Sequence, residues 1–219
     1  IARGEHLKKI QKQGLTLEKM WDKTEENISI PATDMEHYAE HPDVIFVCVK
    51  GYSLQETIPF IKRIARKNTI VIPVLNIYGT GGKMQKELPD LLVTDGCIYV
   101  SANIKEPGKL LQHGQILHIV FGVRDKAEFR PELKEIQKDL CDSHIDGTLS
   151  ENIRREALEK FSYVSPIGAA GLYYHATAAD FQKEGEAREL FKTMIKEIAA
   201  LAEAMGGNPL SLSFEGQCR

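Results

Sequence analysis

Three polar residues stand where this chain could do chemistry: Lys50, Asn76 and Lys160. Lys50 follows an apolar run at residues 43–49 and precedes a helical pattern. That position is the carboxyl edge of a parallel sheet, where open α/β sheets bind their ligands; a solvated lysine at a strand end would look the same. Asn76 follows the next apolar run, residues 69–75, and falls on the same edge if the two strands are neighbours. It equally suits the start of a turn that the glycines after it permit. Lys160 lies in a helical stretch beside Phe161, Val164 and Ile167, which are spaced to face a core. Its ammonium either stays in water at the end of an amphipathic stem or points into a cleft between domains. In a cleft, desolvation would lower its pKa toward the working pH and let it protonate a carbonyl oxygen.

Other chemistries find little support. The glycine-rich segment 79–83 lacks the GxxxxGK[ST] spacing of a phosphate loop. His113 and His118 are five apart on β-rich segments, which puts them on opposite faces and argues against a shared metal; His6, His37, His41, His144 and His175 read as surface or turn residues. No metal site is expected. Cys48, Cys97, Cys141 and Cys218 are far apart, with no CxxC pair, so neither a disulfide framework nor a zinc site is indicated, and a reducing cytoplasm is the expected compartment. With 28 basic and 31 acidic residues the net charge is −3, and no basic cluster offers a surface to nucleic acid. The longest apolar runs are strand-sized, far short of the roughly 20 residues of a membrane helix, so a membrane partner is not expected.

The elements that would position the three residues can be read in order. Residues 5–13 form a short surface helix with Leu7 and Ile10 inward, ended by Gly14, and residues 15–17 alternate as a strand. Residues 43–49 and 69–75 are nearly continuous apolar runs, the mark of parallel strands buried on both faces. Between them a helix begins at Ser53, with Glu56 completing a capping box and Leu54, Thr57, Ile58, Ile61 and Ile64 facing inward. This is a βαβ unit. A short helix up to Leu88 follows, and then residues 92–94, 97–101, 110–111 and 116–121 read as antiparallel strands extending the sheet edge. Residues 131–141 are helical, residues 143–152 read as a polar connection, and nearly everything from Glu151 is helical. In the last helix Leu190, Phe191, Met194, Ile198, Leu201 and Met205 share a face, with Gly206 and Gly207 as its stop. The expected class is α/β, an incomplete Rossmann-type sheet over residues 1–146 followed by an all-helical domain over 147–219.

This ordered set resembles the ketopantoate reductases, the 2-dehydropantoate 2-reductases. The resemblance rests on Ile1-Ala-Arg-Gly-Glu-His-Leu, Val47-Cys-Val-Lys-Gly-Tyr, Pro107-Gly108 followed by His113 and Phe121-Gly122, and Glu159-Lys-Phe leading to Ser165-Pro. Residues 187–206 match the family's long helix as well. The resemblance implies, for the intact parent, NADPH-dependent reduction of 2-dehydropantoate to pantoate, in the pantothenate and coenzyme A pathway, with a small 2-keto acid as partner. By the same likeness Arg3 would hold the adenosine 2′-phosphate, for which its guanidinium fork is suited. Lys50 and Asn76 would line the cofactor and substrate crevice, and Lys160 would be the general acid. Ile77 departs from the Gly that many members carry after the asparagine, and Val164 from the Asn that some carry one turn after the lysine; both leave the substrate open. The family's opening strand and GxGxxG turn, and the later helices that supply a serine and a glutamate to the substrate, find no counterpart between Ile1 and Arg219. Ile1-Ala-Arg-Gly reads as the end of a strand, and residues 210–219 as a tail cut short. Competing expectations are therefore a non-catalytic remnant or interaction module of this fold, or a related reductase of another small 2-keto acid. A homodimer is held open as the assembly.

Overall fold

The computed structural model describes residues 1–205. Helix α1 (Gly4–Gln13) buries Leu7 and Ile10 and stops at Gly14, whose φ of 79° lies in the region that favours glycine. A Cβ at that position would stand 2.5 Å from the carbonyl oxygen of Ile28, so the turn has no room for one. β1 (Leu15–Lys19) pairs antiparallel with β2 (Thr24–Ile28), an all-exposed strand that the polar sequence of the segment concealed. β3 (Val44–Val47), α2 (Leu54–Ile64), β4 (Ile70–Pro73), α3 (Thr80–Glu87) and β5 (Leu92–Val93) then build a parallel sheet in the order β3-β4-β5.

Burial follows position in that sheet. β4 lies in the middle and is buried along its whole length. Val71 faces α2 and α3 in a cluster with Ile58, Ile61 and Met84, whereas Ile70 and Ile72 face the opposite layer with Phe121 and Leu133. β3 was expected to be buried on both faces, but among the described residues it has only one neighbour, and Phe46 remains 37% exposed. The inward residues of α2 are the five predicted. Its capping box is not formed: a 3₁₀ turn at Gly51–Ser53 leads straight into the helix and leaves Ser53 at φ −97°, ψ 2°. That is outside the extended conformation from which an N-cap side chain reaches the first-turn amides.

β5 corrects the expected change of direction, because it pairs parallel to β4; the antiparallel pairing begins only after Thr94. β6 (Asp95–Glu106) and β7 (Lys109–Gly122) form one long hairpin, so the two runs expected at 110–111 and 116–121 are a single strand. Rather than extending the edge of the first sheet, they belong to a second one with the order β2-β1-β7-β6. α4 (Glu132–Asp142) covers the layer that holds Leu133, Ile136 and Leu140. β8 (Asp146–Leu149) then pairs parallel to β7, so the segment read as a polar connection contains a strand.

The rest is helical. α5 (Ile153–Tyr174) and α6 (Glu186–Ala204) pack around Ala170, Phe181, Phe191 and Ile195. Leu201 and Met205, expected inward, are exposed, and Ala202 is buried in their stead. The expected stop at Gly206 and Gly207, the tail at 210–219 and Cys218 lie outside the described residues. The architecture is a Rossmann-like α/β part followed by a helical domain.

Candidate functional site

The register of β3 against β4 pairs Val47 with Pro73. Lys50 and Asn76 each lie three residues beyond a member of that pair, so both leave the sheet at its carboxyl edge. Their loops touch: a Cβ on Gly51 would come within 2.3 Å of the Ile77 side chain.

α5 brings the third residue to this edge. Its first turn is tied to the end of β8. The Asn152 side chain accepts from the Arg155 amide, the Asn152 amide donates to the Ser150 hydroxyl, and that hydroxyl donates to Glu156. From there Ala157, Lys160, Phe161 and Val164 fall on one face at helical spacing and line a small cleft. The opposite wall is Leu75, Asn76, Ile77 and Tyr78, and the floor is Gly96 and Cys97 of β6.

Lys160 is only 8% exposed, which excludes the solvated-stem reading of its position. Its ammonium donates to Asn76 Oδ1 at 2.7 Å and to the backbone carbonyl of Ile98, and lies 5.1 Å from the centre of the Tyr99 ring. An ammonium has three N–H donors; two are committed, and one is left. All these neighbours are neutral, and among the described residues no carboxylate pairs with Lys160. Burial therefore pulls the pKa of Lys160 below the usual lysine range, opposed in part by Cys97. Burial also pushes the Cys97 thiol and the Tyr99 hydroxyl up. Tyr99 stacks on His118, its cross-strand partner, at 5.5 Å between ring centres.

The structure thus brings together two of the four expected site residues, Lys160 and Asn76. Lys50 is exposed on the adjoining strand end and does not line the cleft. Arg3, at the start of α1, is exposed, and its guanidinium lies 4.0 Å from Glu56 in the first turn of α2. Two contributors went unread in the sequence: the carbonyl of Ile98 and the ring of Tyr99. Their strand was legible, but which of its faces α5 covers was not. His118 meets Thr148, while His113 meets Asn103. Among the described residues no group of three or more His, Cys, Asp or Glu could hold a metal. No helix there is long and apolar enough to cross a membrane.

A nicotinamide dinucleotide would need cationic donors for its phosphates at this strand edge. Lys50 and Arg3 fit that need in chemistry: both are exposed, and neither spends its N–H groups in a hydrogen bond to the described residues.

Comparison with known proteins gives this arrangement a family. Residues 1–126 match the model for ketopantoate reductase PanE/ApbA, and residues 152–217 match its C-terminal counterpart. A 2-dehydropantoate 2-reductase of Aquifex aeolicus is 20% identical over 171 residues, 78% of this chain and 55% of the relative. The chain thus spans about half the length of that curated relative. Among solved structures, the 2-dehydropantoate 2-reductase of Porphyromonas gingivalis W83 superposes with a TM-score of 0.82 at 23% identity, over 100% of this chain and 76% of the other. A D-mandelate dehydrogenase solved with NADH and anilino(oxo)acetate gives 0.82 at 17% identity, over 95% of this chain and 67% of the other. At these identities the superpositions speak for the fold alone. The family model, which spans more than half of the chain, carries the assignment: this chain belongs to the ketopantoate reductase PanE/ApbA family of oxidoreductases.

Proposed function

We propose that this chain is the core of an NADPH-dependent reductase that converts a small 2-keto acid to the 2-hydroxy acid, with 2-dehydropantoate, the substrate in the relatives' names, as the reference. One observation carries the reading: a buried ammonium, anchored by Asn76 and the Ile98 carbonyl, keeps a single free donor at the edge of a cleft. NADPH, when bound, supplies the hydride to the carbonyl carbon. Lys160 would donate its free N–H to the keto oxygen and pass the proton to it as the C=O π bond breaks, so the oxygen stays on carbon as the hydroxyl of the 2-hydroxy acid. Asn76 fixes the direction of that donor. Arg3 and Lys50 hold phosphate groups at the sheet edge, and Arg3 confers the preference for NADPH over NADH. The small keto acid is the partner in this reading, in the cytoplasm, within pantothenate synthesis, and with a homodimer as the assembly.

The test is Lys160→Ala in the complete parent protein, assayed by NADPH oxidation and by calorimetric titration with NADPH. Turnover falls by about 10²-fold or more while cofactor affinity is nearly unchanged. Full turnover in the variant would reduce Lys160 to a structural residue, and a complete parent that fails to bind NADPH would overturn the reductase reading in favour of a non-catalytic module of this fold.

A further inference from the structure

We propose that Tyr99 is a positioning residue for Lys160: the face of its ring keeps the buried ammonium charged without taking the last N–H, which stays free for the keto oxygen. The inference rests on the proposed reduction at Lys160. Two of the ammonium's N–H groups go to neutral acceptors, Asn76 Oδ1 and the Ile98 carbonyl. Neither brings the full negative charge that would offset burial. A carboxylate would, but it would also accept an N–H and compete with the substrate for the one remaining. An aromatic face attracts a cation through its quadrupole out to about 6 Å and needs no N–H hydrogen bond to do so. The Lys160 ammonium stands over the Tyr99 ring, 5.1 Å from its centre. That ring is well fixed. It follows Ile98 on β6, so one strand supplies both contacts. It packs against Cys97, Val120 and Ile153, and it stacks on His118 with the two planes 21° apart. The titratable groups around the pair are Cys97 on β6, Tyr78 on the facing wall, His118 on β7, and Arg154, Glu156 and Glu159 on α5. Glu156 accepts from the Ser150 hydroxyl and Glu159 lies 3.5 Å from Arg155, so each carboxylate has a partner of its own.

The test compares Tyr99→Phe with Tyr99→Leu in the complete parent protein, and Tyr99→Met replaces the leucine variant if that one does not fold. Isotope-labelled lysine gives an NMR titration of Lys160 that needs no cofactor, its signal being the one lost in Lys160→Ala. The phenylalanine variant, which keeps the ring, should titrate as the wild type does, and the leucine variant at lower pH. In kcat profiles measured by NADPH oxidation with both substrates saturating, the leucine variant should keep the low-pH plateau. On the falling limb it should lose about tenfold, the size of a desolvated cation–π contact. A Lys160 signal that titrates alike in the leucine variant and the wild type overturns the inference, whatever happens to the plateau, and leaves Tyr99 a packing residue. A phenylalanine variant that moves as far as the leucine variant also overturns it, because the effect then belongs to the hydroxyl. If the NMR titration moves as expected while the kcat profile does not follow, the reductase reading at Lys160 fails, and the hold of Tyr99 on the charge stands without it.

Discussion

An ammonium with only neutral neighbours loses its proton more readily than one in water, and Lys160 is such a group. Its protonated form is the donor in the proposed reduction, so the sign follows directly. With both substrates saturating, kcat should be level at low pH and fall as pH rises. The midpoint should lie below the ordinary lysine value of 10.5, because burial is the leading cause of the shift. A pH–rate profile of kcat checks this, and a midpoint at or above 10.5 would mean that the ammonium is solvated in the working complex. How far this site was legible in the sequence depended on the kind of residue. Asn76 was legible because a strand end announces itself, and Lys160 because helical spacing put it next to an apolar face; the same strand-end rule named Lys50, which stands outside the cleft. The Ile98 carbonyl carries no sequence signal, being main chain, and Tyr99 could not be placed without knowing which side of β6 is covered.

Elements impose their own demands, and α3 shows one. Gly81, in its first turn, packs so tightly on the β5–β6 junction that a Cβ would lie 2.0 Å from the Thr94 carbonyl oxygen and 2.3 Å from the Asp95 carboxylate. Thr94 is backbone and is held by the bond from its amide to the Val71 carbonyl, so it has little freedom to yield. Gly81→Ala should therefore destabilise the protein by about 1–3 kcal/mol or more, an overpacking cost. Urea denaturation measures it, and an unchanged midpoint would show that α3 can lift away freely. This glycine was read in the sequence only as a turn former, since close approach is a tertiary property. The same limit explains β5. Its two residues carry no directional signal, and it runs parallel to β4 only because the chain returns through α3 before pairing. By contrast α1, α2 and α4 were readable, because their apolar residues recur at the helical period and bury as that period requires.

Taken whole, the molecule joins a well-buried parallel sheet to a largely solvated arm made of β1, β2 and the outer half of the β6–β7 hairpin. In the arm Glu18 and Glu25 stand directly across from each other, a repulsive pairing that Lys109 bridges by contacting both. Lys109→Ala should accelerate amide hydrogen exchange through residues 15–28 and leave β3 and β4 protected. Unaltered exchange in β1 and β2 would show that the backbone ladders suffice without the bridge. The α/β class with a following helical domain was legible from the order of apolar runs, but the separation into two sheets was not, because hydrogen-bond partners are a choice among strands of similar composition. Lys160 spans that separation: its anchors are Asn76, after the first sheet's central strand, and Ile98, on the second sheet. A lysine that has handed over one hydrogen keeps two, and two acceptors are what hold it. The amine can thus empty and refill without α5 letting go of either sheet, and successive turnovers begin from the same geometry.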